Sequence, residues 1–120
     1  MAYAGSDEII SAAENLADAF KRSDLYRTYR RSRLRVEEQP DLAYRLRAYK
    51  HAQNAYELKR LRDNSPPSFE EEKRISHLRA ELYLNRDARA FLDCEETLLA
   101  LYRKAAELLE NACEIEVYGM

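Results

Sequence analysis

Glycine is nearly absent from this chain. Its two glycines, Gly5 and Gly119, stand near the ends, and the whole stretch from Ser6 to Tyr118 has none. Dinucleotide fingerprints, P-loops, nucleophile elbows and EF-hand loops all need glycine where the backbone takes a positive φ or approaches a phosphate closely. None of these can be built here. Residues suited to strands are scarce as well: valine, isoleucine and threonine number 2, 4 and 2, against 16 leucines and 15 arginines. A chain so supplied forms helices and has little to make a sheet from. There is no tryptophan. No apolar run approaches the roughly 18 residues of a membrane span.

With two cysteines and no basic segment leading into an apolar one over Met1 to Asp7, a reducing cytoplasm is the expected compartment. The 120 residues suit one domain, and 42 of them are charged, with a net charge of −2. That total hides an asymmetry. Residues 21–62 carry 13 basic and 5 acidic groups, a local +8, whereas residues 64–120 carry 7 and 12, a local −5. Such a division reflects pairing between helices or a basic surface for a partner.

Hydrophobic periodicity and capping signals predict five helices, at about 6–22, 24–38, 41–63, 68–84 and 86–114, in a single all-α domain over 1–120. Ser6 is the expected cap of the first helix, whose stripe is Ile9, Ala13, Leu16 and Phe20. Ser23-Asp24 interrupts and recaps, and Pro40 separates the second helix from the third. The third carries Leu42, Leu46, Tyr49, Gln53 and Tyr56 at alternating four- and three-residue spacing. Asn64 to Pro67 is the clear loop. Ser68 and Glu71 form a capping box, followed by the stripe Ile75, Leu78 and Leu82. Asn85 marks a bend or cap before the fifth helix.

The fifth helix is apolar over more than half its circumference, with Phe91, Leu98 and Tyr102 in its stripe. An arc that wide implies contact from two sides. At about 1.5 Å per residue it would be about 42 Å long, longer than the roughly 35 Å diameter of a compact globule of this size. An extended helical hairpin that buries its remaining stripe against a second copy is therefore expected, in a two-fold dimer. Leu46, Tyr49, Tyr56, Phe91, Leu98 and Tyr102 are the expected residues of this core and dimer stripe.

Three stretches resemble the YlbF/YmcA family of small helical bacterial regulators. They are Leu16-Ala17 ahead of Ser23-Asp24-Leu25-Tyr26-Arg27-Thr28-Tyr29, then Gln39-Pro40-Asp41 before a helix carrying Leu46, Tyr49, Gln53 and Tyr56, then Leu82 through Leu92, continuing to Glu95 and Leu98. The similarity spans roughly residues 9–112. It implies a non-enzymatic, all-α protein working through protein–protein contacts in competence, sporulation, biofilm formation and mRNA processing. Other family members and an endoribonuclease are the implied partners. Some relatives are reported to hold iron–sulfur clusters. This chain departs from them, because Cys94 and Cys113 cannot supply four thiolates. No catalytic residue, metal site or cofactor is expected.

The remaining candidates are few. Cys94 and Cys113, on the apolar side of one helix and about 28 Å apart along it, read as buried structural thiols that cannot pair with each other. His51 and His77 belong to no metal-binding pattern and read as surface residues. Glu95 falls inside the apolar stripe of the fifth helix, where a carboxylate needs a counter-charge; Arg45 or Arg60 is the expected one. On the second helix, Leu25, Tyr29, Ser32 and Val36 form the inner face. Arg27, Arg30, Arg31 and Leu34 lie opposite, a candidate partner-binding patch with arginine's planar hydrogen-bonding capacity. The same arginines allow RNA as a second reading, against which stand the missing glycine loops and the acidic second half. An arginine-lined mutase of the all-α chorismate type would need an arginine in the first helix that reaches a partner's site. Here that helix has only Lys21 and Arg22, at its end.

Overall fold

A computed structural model describes residues 3–64 and 68–115. Over these it is all-α, and its five helices are α1 (Ser6–Arg22), α2 (Asp24–Glu37), α3 (Pro40–Asp63), α4 (Phe69–Tyr83) and α5 (Arg86–Cys113). Of the loop expected at 64–67, residues 65–67 lie outside the described residues.

Local chemistry explains most of the boundaries. Ser23 Oγ accepts the Tyr26 N–H at 3.2 Å, restarting a helix one residue after α1 has ended. Pro40 opens α3, where its missing N–H costs nothing and its φ is already helical. Asn85 Oδ1 accepts two N–H groups, from Asp87 at 2.9 Å and Ala88 at 3.1 Å. Ser68 Oγ accepts the Glu71 N–H, while the Glu71 carboxylate reaches Lys59 instead of closing a box. Ser6 departs from expectation. Gly5, at φ 87°, takes the cap position, and Ser6 Oγ turns back to donate to the Tyr3 carbonyl. That left-handed conformation is one that glycine adopts freely.

Packing is concentrated where the α2–α3 and α4–α5 turns meet. Val36, Leu42, Ala43, Tyr49, Leu82, Ala88, Phe91 and Leu92 form the buried core, with Tyr29, Leu46, Ile75, Leu78 and Tyr83 against it. Each large apolar side chain buried there contributes roughly 1.5–3 kcal/mol. Helix α2 runs antiparallel along the first half of α5: Gln39 Nε2 donates to Asp87 at 2.8 Å, and Tyr29 stacks on Phe91 with centroids 5.3 Å apart. Helices α3 and α4 form a hairpin tied by Tyr56 Oη donating to Glu72 at 2.7 Å and by Lys59–Glu71 at 2.9 Å.

The remainder is extended. The radius of gyration is 17.9 Å and the extents are 50 × 37 × 22 Å. A compact chain of this length would have a radius of gyration of roughly 14 Å. Helix α1 has no buried residue. In α5 the buried positions, Ala88, Phe91 and Leu92, all fall in the first two turns.

Candidate protein-interaction surface

The face left open is apolar. Along α1, Ile9, Ile10 and Leu16 are exposed, Ile9 by 70%; along α5, so are Leu99, Leu101, Tyr102, Leu108 and Leu109. Large exposed apolar patches mark surfaces that other molecules cover.

Between α2, α3 and α5 lies a cleft with two basins of about 750 and 430 Å³, which meet at Tyr29, Lys50 and Glu95. Lys50 and Glu95 form an ion pair across it, their side chains 31% and 21% exposed. Burial and the neighbouring Arg79 hold the Lys50 ammonium below its ordinary pKa. The carboxylate therefore does have a counter-charge, but not either arginine that was expected. Arg45 pairs with Asp41 at 3.6 Å, and Arg60 with Glu57 at 3.7 Å, both along their own helix. Lys50 stands one turn after Leu46 on the face that α3 turns toward α5, so the same periodicity that marks Leu46 could have found it.

Arg79 ties three helices together. It donates to Tyr49 Oη at 3.0 Å and Tyr83 Oη at 2.9 Å, lies 4.8 Å from the Tyr83 ring centroid and reaches Glu96 at 3.3 Å. Tyr83 Oη in turn donates to Asp93 at 2.8 Å. The bond to Tyr49 raises the Arg79 pKa, so the guanidinium remains charged. Arg79 stands four residues after Ile75 and three before Leu82, so the periodicity of α4 could have placed it beside the core, but the sequence does not name its partners.

The expected stripe divides between core and surface. Tyr49 and Phe91 are buried, and Leu46 is packed against the core. Leu98 is half-buried, and Tyr102 is 55% exposed in this single chain. Tyr56 is half-buried and turned to Glu72; desolvation and that bond push its hydroxyl up to about 12. On α2, Ser32 and Val36 face inward, while Arg27, Arg30, Arg31 and Leu34 are exposed. Arg27 is held by Asp24 at 2.8 Å and by the Arg22 carbonyl. Arg30 and Leu34 instead line a shallow depression with Arg33 and Glu37.

The cysteines correct their expectation: Cys94 is half-buried and Cys113 is exposed, because α5 runs beyond the core that would have covered it. His51 is exposed on the cleft wall, and His77 is exposed beside Glu81 at 3.0 Å. Among the described residues no group of three or more histidine, cysteine or acidic side chains could hold a metal ion, and no helix is long and apolar enough to cross a membrane.

Over the described residues, five helices with their core at one end and open apolar faces along the rest define a small all-α protein. The family model described as control of competence regulator ComK, YlbF/YmcA, matches residues 9–113, and the chain belongs to that family. The fold is also similar to that of Bacillus subtilis RicA, solved by X-ray crystallography in complex with RicF. The match has a TM-score of 0.59 and 22% identity, covering 91% of this chain and 96% of that one. No curated protein matches the chain.

Proposed function

We propose that this protein is a non-enzymatic regulatory adaptor that works by docking its helical faces on other protein chains, including a second copy of itself. The carrying observation is the apolar surface of α1 and distal α5, which its own core leaves uncovered. Two findings support the reading. The family is one of regulators, and the similar fold of RicA was crystallised with a protein partner. Within the wider basin of the cleft, Lys50 pairs with Glu95 and Arg33 with Glu37.

The regulated process is proposed to be of the competence, sporulation, biofilm or mRNA-processing kind, with family members or an endoribonuclease as partners in the cytoplasm. Affinity purification of the tagged chain from its native cell, followed by mass spectrometry, tests this. Recovery of family members or an endoribonuclease is expected; recovery of nucleic acid without protein would contradict it. RNA is disfavoured by local pairing, since Arg27, Arg33 and Arg45 each face a carboxylate of their own helix.

A further inference from the structure

The outward face of α2 carries a patch that the core does not use. Leu34 is exposed there, and Arg30 and Arg31, one turn before it, are exposed beside it. Neither guanidinium has an ion-pair or hydrogen-bond partner among the described residues. Their neighbours do: Arg27 meets Asp24 at 2.8 Å, and Arg33 meets Glu37 at 2.9 Å. A depression of about 240 Å³ lies between Arg30, Arg33, Leu34 and Glu37. One turn beyond Leu34, the exposed Glu37 and Glu38 close the strip with the opposite charge.

We propose that this face of α2 docks an acidic amphipathic helix of a different protein, which seats an aliphatic side chain in the depression and carboxylates on Arg30 and Arg31. The inference rests on the protein-contact reading above and gives it a second surface, apart from the apolar faces of α1 and α5, with a stated partner chemistry.

Charge sets the sign of the partner. Residues 21–62 carry a local +8, and the chain's own carboxylates facing other helices do not answer it. Glu71 and Glu72 of α4 meet Lys59 and Tyr56, while Asp93 and Glu96 of α5 meet Tyr83 and Arg79. An unpaired guanidinium holds a carboxylate by two parallel hydrogen bonds. Spacing sets the form. Arginines one turn from a leucine match a facing helix whose acidic and aliphatic residues stand at the same interval. A nucleic-acid strand fits less well, because Glu37 and Glu38 repel phosphate and its backbone has nothing apolar to lay on Leu34. From Arg27 to Glu38 the strip is about 16 Å long, so the contact falls at the small, transient end of protein interfaces.

Site-directed photo-crosslinking captures such a contact. p-Benzoylphenylalanine is placed at Leu34, and separately at the exposed His77 of α4, in the full chain in its native cell. After irradiation the adduct is purified and the cross-linked peptide is identified by mass spectrometry. Expected from Leu34, and not from His77, is an adduct with a protein other than this chain. Its cross-linked segment should carry net negative charge, with carboxylates one helical turn from an aliphatic residue. Arg30→Glu with Arg31→Glu should remove most of that adduct while helical content and thermal midpoint stay as they were, since both side chains stand in solvent. Four results would overturn the proposal: no adduct from folded protein, an equal adduct from His77, an adduct with RNA, a second copy or a segment without net negative charge, or one undiminished by the charge reversal. Family members still recovered from the cell alongside any of these would leave the adaptor reading standing and remove only the α2 surface.

Discussion

At the residue scale the informative pair is Lys50 with Glu95. Removing one partner strands a charge that is two-thirds or more out of water, whereas removing both does not. Glu95→Ala should therefore cost about 1–3 kcal/mol, seen as a drop of several degrees in the thermal midpoint. The double variant Lys50→Met with Glu95→Leu should recover most of it. Equal loss in the single and double variants would contradict the account. Tyr49 gives a second test, being 1% exposed with its hydroxyl held by Arg79. Tyr49→Phe should lose about 1 kcal/mol for the hydrogen bond, and Tyr49→Ala about 3–5 kcal/mol for the cavity, in denaturant titrations. That Glu95 needs a partner is legible from its place among apolar neighbours. Which cation answers is not, because it depends on how α3 and α5 are set against each other, a matter of packing that one-dimensional periodicity does not contain.

At the element scale the helix ends were the most legible feature. Ser23, Pro40, Ser68 and Asn85 act through short-range geometry that the local sequence specifies. Asn85 holds two N–H groups at the start of α5, so Asn85→Ala should cost about 1–2 kcal/mol, and Asn85→Asp should retain most of the stability. Equilibrium unfolding of the two variants checks this; no difference between them would show that the cap is dispensable. Ser6 was misjudged because Gly5 beside it can adopt the left-handed cap and leave the hydroxyl free to bond backward to Tyr3. The stripe on α1 was legible as amphipathic, but not that it would find no surface in its own chain. A hydrophobic face announces burial without naming the chain that provides it. Cys113 teaches the same lesson: it lies on the apolar side of α5, at a level the core does not reach.

At the scale of the whole molecule, glycine scarcity and helix length together anticipated an elongated all-α chain, and the 50 Å long axis agrees. Elongation has an energetic consequence. A core confined to one end leaves α1 and distal α5 to be stabilised by another surface, because most helical stability in proteins comes from packing an amphipathic face. On this account the chain is fully packed only when a second one covers it. Sedimentation equilibrium measures that directly. At about 10 μM, above a micromolar dissociation constant, the wild-type protein should have twice its single-chain mass of 14.1 kDa. Leu16→Asp, which disturbs no buried contact within the chain, should sediment near 14.1 kDa with its helical core retained. A wild-type mass of 14.1 kDa at that concentration, or a Leu16→Asp variant still of twice that mass, would contradict the account.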